Sequence, residues 1–343
     1  MRSIISKSLR ANNPSLLISS TWQLAGRQFG SLAKDRLTDY EKETFSTFVE
    51  GESLDPYKDY LSVQEKSGEI LEEILSPELK DNLRGFGSRG RSVFFLQNCP
   101  TIGNGKILPQ TPPLAPPSSQ RSKSKDNVSE YFMLGISGLL KAEPYLIENV
   151  RDGTVINQII PTNAYSNSGS GYKVPFGFHN EVVHEPKVPD FFLLLALRGN
   201  PLAKTNYCFL DDIISVLPPQ ILEELKKPNF LMKSGDAAIF KEAKEFRCPI
   251  ITTDSKGNQN IRLNTAPGRC EGLNEEAKIA LKYLNECLSK DVPIHGIALQ
   301  DGEMLIIENG TTLHGRTEFE GDRWVQRMNL NQKASSSTKN QVR

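Results

Sequence analysis

Residues 305–327 read LIIENGTTLHGRTEFEGDRWVQR. The apolar run GEMLIIEN (302–309) has the texture of a buried strand, and Asn309-Gly310 is a turn pair that ends it and redirects the chain. His314 follows that turn. A second turn leads into RWVQRMNL (323–330), which as a strand places Arg323, Val325 and Arg327 on one face and Trp324, Gln326 and Met328 on the other. Two arginines flanking a valine on a buried face need anions to meet them. Spacing alone leaves two sources open: the local acids Glu318, Glu320 and Asp322, or a bound carboxylate gripped by an arginine fork.

Short β patterns with turn signals continue around this stretch: VINQII, FGFHNEV, DFFLLLAL, AAIF, PIITT and QNIRLNT, with Asp254-Ser255-Lys256-Gly257-Asn258 as a hairpin turn. Helical spacing marks residues 60–85, a stretch from Ser129 to about Val150, PQILEELKK near 219–227, and a helix capped by Asn274 with Ala277, Ala280, Leu281 and Leu284 on one face. Many short strands with peripheral helices predict a β-sandwich or barrel core with helical cover.

Histidine is scarce, with four in 343 residues, so its placement is informative. In a strand, His179 and Glu181 leave the same face about 6.6 Å apart at Cα. Two such side chains can converge on one cation. HNEVVH is not a helical zincin motif, because its glutamate is displaced and its histidines are five apart. His314 is the better candidate for a third ligand. Two imidazoles and a carboxylate on one side of a metal form the facial triad that holds Fe(II) with positions left open. His184 and His295 read as structural or surface residues, the cysteines as core fillers or surface thiols, and Asp190 as a turn residue.

FHNE, then PDFFLLLALRGNPLAKTNY, then LIIENGTTLHGRTEFEGDRWVQR together resemble the clavaminate-synthase-like branch of the TauD/TfdA Fe(II)/2-oxoglutarate-dependent oxygenases, a branch that includes hydroxylases of free amino acids. The resemblance covers roughly residues 90–330, with LPQTPP and Ser166-Asn167-Ser168-Gly169-Ser170 also in family order. It implies a mainly β fold with helices, namely a double-stranded β-helix (jelly-roll) core with flanking helices. It implies His179, Glu181 and His314 as iron ligands, Arg323 as the partner of the distal carboxylate of 2-oxoglutarate, and Thr205 as a hydroxyl beside it. Arg327 and Ser168 fall on the substrate side. The implied cofactor is Fe(II), with 2-oxoglutarate and O2 as cosubstrates. The implied reaction hydroxylates a small, polar, amino-acid-like molecule with release of succinate and CO2, and desaturation or cyclisation would use the same oxidant. Glu181 argues against halogenation, which in this family vacates the carboxylate position. The HGRT-to-DRW stretch is several residues shorter than the family pattern, and GYKVPFG before His179 diverges from it, so substrate identity does not transfer. The alternatives are a non-catalytic jelly-roll binding or regulatory protein that keeps the metal site, and a zinc hydrolase using the same ligands.

Composition bounds the rest. Forty-one basic and 41 acidic residues give a formal net charge of +0, without the basic excess of a nucleic-acid binder or a polybasic membrane-surface protein. The 38% hydrophobic content can fill a core. Five cysteines without a CxxC pair fit a reducing compartment. The first 34 residues lack Asp and Glu and are rich in serine, a composition that overlaps with organelle transit peptides. The reading preferred here is a basic N-terminal strand and loop of a cytoplasmic protein. The expected organisation is therefore a 1–34 N-terminal segment, one oxygenase domain over 35–330 and a flexible 331–343 tail. Within the domain the core is 154–330, and 101–127, with five prolines, is a lid loop over the pocket. Oligomeric state cannot be read from the chain.

Overall fold

In the computed structural model, residues 30–87, 90–121, 126–146, 154–166, 168–235, 243–254 and 257–333 are described. The AAIF pattern, Asn167, Ser255 and Lys256 of the hairpin turn, residues 122–125, and most of both terminal segments lie outside the described residues.

A strand, β1 (Ser31–Arg36), precedes the helices α1 (Asp39–Glu50), α2 (Tyr60–Ile74) and α3 (Pro77–Arg84), and β2 (Arg91–Gln97) follows. The helical stretch expected over 60–85 is broken in two. Ser76 accepts from the Leu79 amide at 3.3 Å, and Pro77 takes the first helical position of α3, where its missing N–H is tolerated but where it cannot continue α2. After a single helical turn, α4 (Ser118–Arg121), comes α5 (Val128–Leu139). This helix ends well short of Val150, because Lys141 turns the chain with φ 53° into β3 (Ala142–Pro144).

Next come β4 (Asn157–Ile159), β5 (Phe176–His179), β6 (Phe191–Arg198), β7 (Lys204–Phe209), α6 (Leu210–Val216), α7 (Pro219–Leu225), β8 (Phe230–Lys233) and β9 (Glu245–Cys248). The chain closes with β10 (Ile251–Thr253), β11 (Gln259–Ile261), β12 (Cys270–Gly272), α8 (Glu275–Lys290), β13 (His295–Ala298), β14 (Met304–Glu308), β15 (Thr312–Arg316) and β16 (Trp324–Gln332). Asn274 caps α8 as expected, its side chain accepting from Ala277 N at 2.8 Å.

Two sheets face each other. The larger runs β1-β2-β14-β6-β16-β3, with β4 also pairing β16, and so draws three strands from before residue 154. The smaller runs β13-β7-β15-β5. β6 is apolar at nearly every position because both of its faces are covered. Phe191, Leu193, Leu195 and Leu197 pack against the helices of the N-terminal third, while Phe192, Leu194 and Ala196 meet Tyr207 and Phe209 of the opposing sheet. On the outer face of the smaller sheet, Cys208 and Leu313 join α6, α7 and α8 in a further core. These layers make the double-stranded β-helix with flanking helices.

The described part of the proline-rich segment is otherwise irregular. It packs Leu108 and Ala115 against the helical core, and Pro109 O and Thr111 Oγ1 accept from Arg198 at 2.9 and 2.5 Å.

Candidate metal centre

Register assembles the site. β15 pairs antiparallel with β5 so that His314 lies opposite His179, and with β7 so that Arg316 lies opposite Thr205. On the facing sheet Arg327 lies opposite Leu194. His179, Glu181, Thr205, His314, Arg316, Arg323 and Arg327 all line one cavity, which Ile159, Phe176 and Leu194 wall on the apolar side.

Glu181 arrives by another route than alternation along a strand. β5 stops at His179, and Glu181 stands in the turn that follows. Two asparagines hold that turn. The Asn180 side chain donates to the carbonyls of Asn309 and Thr312, the latter at 3.1 Å, and accepts from Leu263 N at 2.9 Å. Asn309 reciprocates, accepting from Glu181 N at 2.8 Å and donating to Glu181 O at 3.2 Å and Pro189 O at 2.9 Å. Thus the β14–β15 turn is stapled to the segment carrying the carboxylate, and Val182 is held at φ 59°, a conformation unfavourable for a β-branched residue. Asn180→Ala would leave three buried backbone groups unpaired. We expect a loss of about 2–4 kcal/mol, read from urea denaturation; a cost below about 0.5 kcal/mol would refute the staple.

Glu181 Oε1 lies 3.4 Å from His314 Nε2 and 3.8 Å from His179 Nε2. Two metal bonds of about 2.1 Å at 90–110° put donor atoms about 3.0–3.4 Å apart, so the donor set fits one divalent ion with adjustments of tenths of an ångström. His179, Glu181 and His314 are the only such group among the described residues. His179 Nδ1 bonds Gly177 O at 2.9 Å, which leaves Nε2 facing the cavity. The His314 ring is held between those of His179 and Phe192, at centroid distances of 4.1 and 4.3 Å.

Burial, reinforced by His314, pushes the His179 imidazole down to about 3, so it stays neutral and ready to ligate. Burial opposes the Glu181 charge, but the Arg327 guanidinium, 2.8 Å from Oε2, and His314 hold its carboxyl well below the usual range. Unfolded, these groups take protons near their ordinary values of 6.5 and 4.5. The unfolded state therefore binds more protons than the native state below about pH 6.5, and stability of the metal-free protein should fall with pH from there. Urea midpoints in chelator from pH 7 to 5 check this. A His179→Asn variant should lose part of that slope, and an unaltered slope would contradict the assignment.

Arg323 is 6% exposed and makes no ion pair among the described residues; its guanidinium lies 5.8 Å from the Phe319 ring centre. The local acids do not answer it: Glu318, Glu320 and Asp322 are exposed, and Asp322 turns to Arg198 at 3.7 Å. Of the two sources left open by the spacing, the neighbouring carboxylates are thereby removed. Ser168 shares hydroxyl contacts with Ser166 and Ser170 at 2.8 and 3.0 Å, and the adjacent Gly169 lines the cavity. His184 is buried in the turn after Glu181, and His295 stacks on Tyr207 at 5.3 Å. Asp190 ties strand ends, accepting from Gln332 N at 2.8 Å. Sequence reasoning missed Arg316 and the asparagine staple; HGR within the quoted stretch and the Asn-Gly pair were the only signals for them.

The molecule is thus a jelly-roll protein with a two-histidine, one-carboxylate cluster beside a buried cationic pocket. Residues 210–329 match the model of the taurine catabolism dioxygenase TauD, TfdA family. It is 27% identical over 259 residues to an L-asparagine oxygenase of Streptomyces coelicolor, covering 73% of this chain and 74% of that protein. Its fold matches that of an asparagine oxygenase solved with Fe(II), 2S,3S-3-hydroxyasparagine and succinate, at TM-score 0.73 and 20% identity over 87% of this chain and 93% of the other. It also matches the non-heme iron oxygenase OrfP solved with Fe and alpha-ketoglutaric acid, at TM-score 0.70 and 20% identity over 88% and 94%.

Proposed function

We propose that this protein is an Fe(II)/2-oxoglutarate-dependent dioxygenase that hydroxylates a small amino-acid-like substrate, releasing succinate and CO2. One observation carries the reading: two imidazoles and a carboxylate converge in the same cavity as a buried guanidinium that no carboxylate among the described residues neutralises. A zinc hydrolase has no need of that guanidinium. The family match and the amino-acid oxygenase relatives support the same conclusion.

His179, Glu181 and His314 hold the ferrous ion. Arg323 and Thr205 receive the far carboxylate of 2-oxoglutarate. With these bound, the cosubstrate's oxidative decarboxylation supplies the oxidant for substrate C–H cleavage. The protein's share is positional. Arg327 Nη1 lies against both Glu181 oxygens, 2.9 Å from Oε1 and 2.8 Å from Oε2, and so fixes the carboxylate whose Oε1 also faces the two imidazoles, while its remaining donors are offered to the substrate side. Ile159, Phe176 and Leu194 exclude water from the wall between. Its five cysteines are unpaired, which supports a cytoplasmic setting for ferrous chemistry.

The test is succinate release from 2-oxoglutarate by Fe(II)-loaded protein in air, across a panel of free L-amino acids. We expect stimulation by at least one polar amino acid. No 2-oxoglutarate turnover with any member would favour a binding protein that retains the site. Oxygen-independent activity with zinc would favour a hydrolase.

A further inference from the structure

We propose that Arg316 is a second anion-binding residue of this pocket, which together with Arg323 grips the far carboxylate of the dicarboxylate cosubstrate. The inference rests on the 2-oxoglutarate reading above and adds a residue to it.

Arg316 is 5% exposed and lines the cavity with Arg323 and Thr205. Strand pairing sets it opposite Thr205, so the hydroxyl and the guanidinium belong to neighbouring positions of one sheet. The connection from β15 to β16 carries Phe319, whose ring both arginines approach. Phe319, 4% exposed, is pinned by its amide to Tyr172 O at 2.8 Å, and its ring centre lies 5.0 Å from the Arg316 guanidinium and 5.8 Å from that of Arg323.

Arg316 donates to three carbonyls, Thr317 O at 3.1 Å, Gly169 O at 3.0 Å and Val174 O at 3.4 Å. These neutral acceptors take three of its five N–H groups and leave the charge uncancelled. No carboxylate pairs with either arginine among the described residues, and each charge raises the cost of burying the other. A carboxylate lying between them removes both penalties, which one bound to a single arginine would not.

The test is anaerobic titration of Fe(II)-loaded protein with 2-oxoglutarate, followed by the visible metal-to-ligand charge-transfer band, with Fe(II) affinity measured separately. Arg316→Gln, which can still donate to carbonyls but has no charge, should raise the dissociation constant about tenfold or more. Arg316→Lys, which keeps the charge but loses the fork, should stay within about threefold of wild type. Neither should alter Fe(II) affinity. Arg316→Met, which retains the apolar stem, repeats the measurement if the glutamine variant does not fold. Wild-type affinity in the uncharged variants, or equal weakening by lysine and glutamine, would overturn the proposal, since the second result describes a brace for the 169–174 segment. Wild-type protein that binds Fe(II) but not 2-oxoglutarate would instead bring down the functional reading itself.

Discussion

With His314 replaced by alanine, ferrous-ion affinity should drop by more than about 100-fold and turnover should vanish with it. Losing only an outer partner of a metal ligand costs ~10–100-fold, and His314 is proposed to supply a donor directly. The fold should survive. β15 is held on both sides by backbone pairing with β5 and β7, and His314 contributes ring packing against His179 and Phe192 rather than any side-chain hydrogen bond to backbone. The measurement is ferrous or cobaltous titration alongside a melting curve. Metal affinity within about threefold of wild type would mean that His314 is not a ligand, whatever the change in activity.

Arg323→Met should raise the 2-oxoglutarate requirement by about 100-fold or more while leaving metal binding nearly intact, because two charge-assisted hydrogen bonds of about 1.5–3 kcal/mol each are lost. The same substitution should stabilise the ligand-free protein by about 1–3 kcal/mol, since it removes a buried charge that no group among the described residues neutralises. A gain in stability with a loss of cosubstrate affinity is the signature of a residue kept for binding. Calorimetry and a steady-state titration decide it together. An unchanged cosubstrate requirement would remove Arg323 from the site, and a loss of stability would show that it has a structural partner after all.

Much of this was legible in the chain. Continuous apolar runs such as DFFLLLAL and GEMLIIEN announce strands covered on both faces, and these became β6 and β14. Scarce histidines narrowed the ligand search, and motif order supplied the rest. β7, β13 and β15 were harder to see, because KTNYCF, HGIA and TLHGR break apolar alternation with the polar and glycine residues that face the cavity or solvent. Pairing supplied their stability, and pairing is not written in local pattern. The same limit explains Glu181. Alternation along a strand paired it with His179, whereas Glu181 stands in a turn beyond β5 that depends on Asn309, a residue far along the chain whose side chain no local rule could place. Arg316 was passed over because Arg323 already satisfied the expected motif; only the approach of both to Phe319 shows that two arginines without an ion pair among the described residues share the pocket.

The pairing of His314 with His179 also bears on how the protein matures. Those two positions are far apart in the chain, and because non-local contacts are costly to close before other contacts reward them we expect the two to become neighbours late in folding. On that expectation a divalent ion should trap the finished fold and not nucleate it. Refolding in the presence of a redox-inert divalent ion should accordingly leave the folding rate unchanged and slow only unfolding, and an accelerated rate would show that an early intermediate already brings the two imidazoles together.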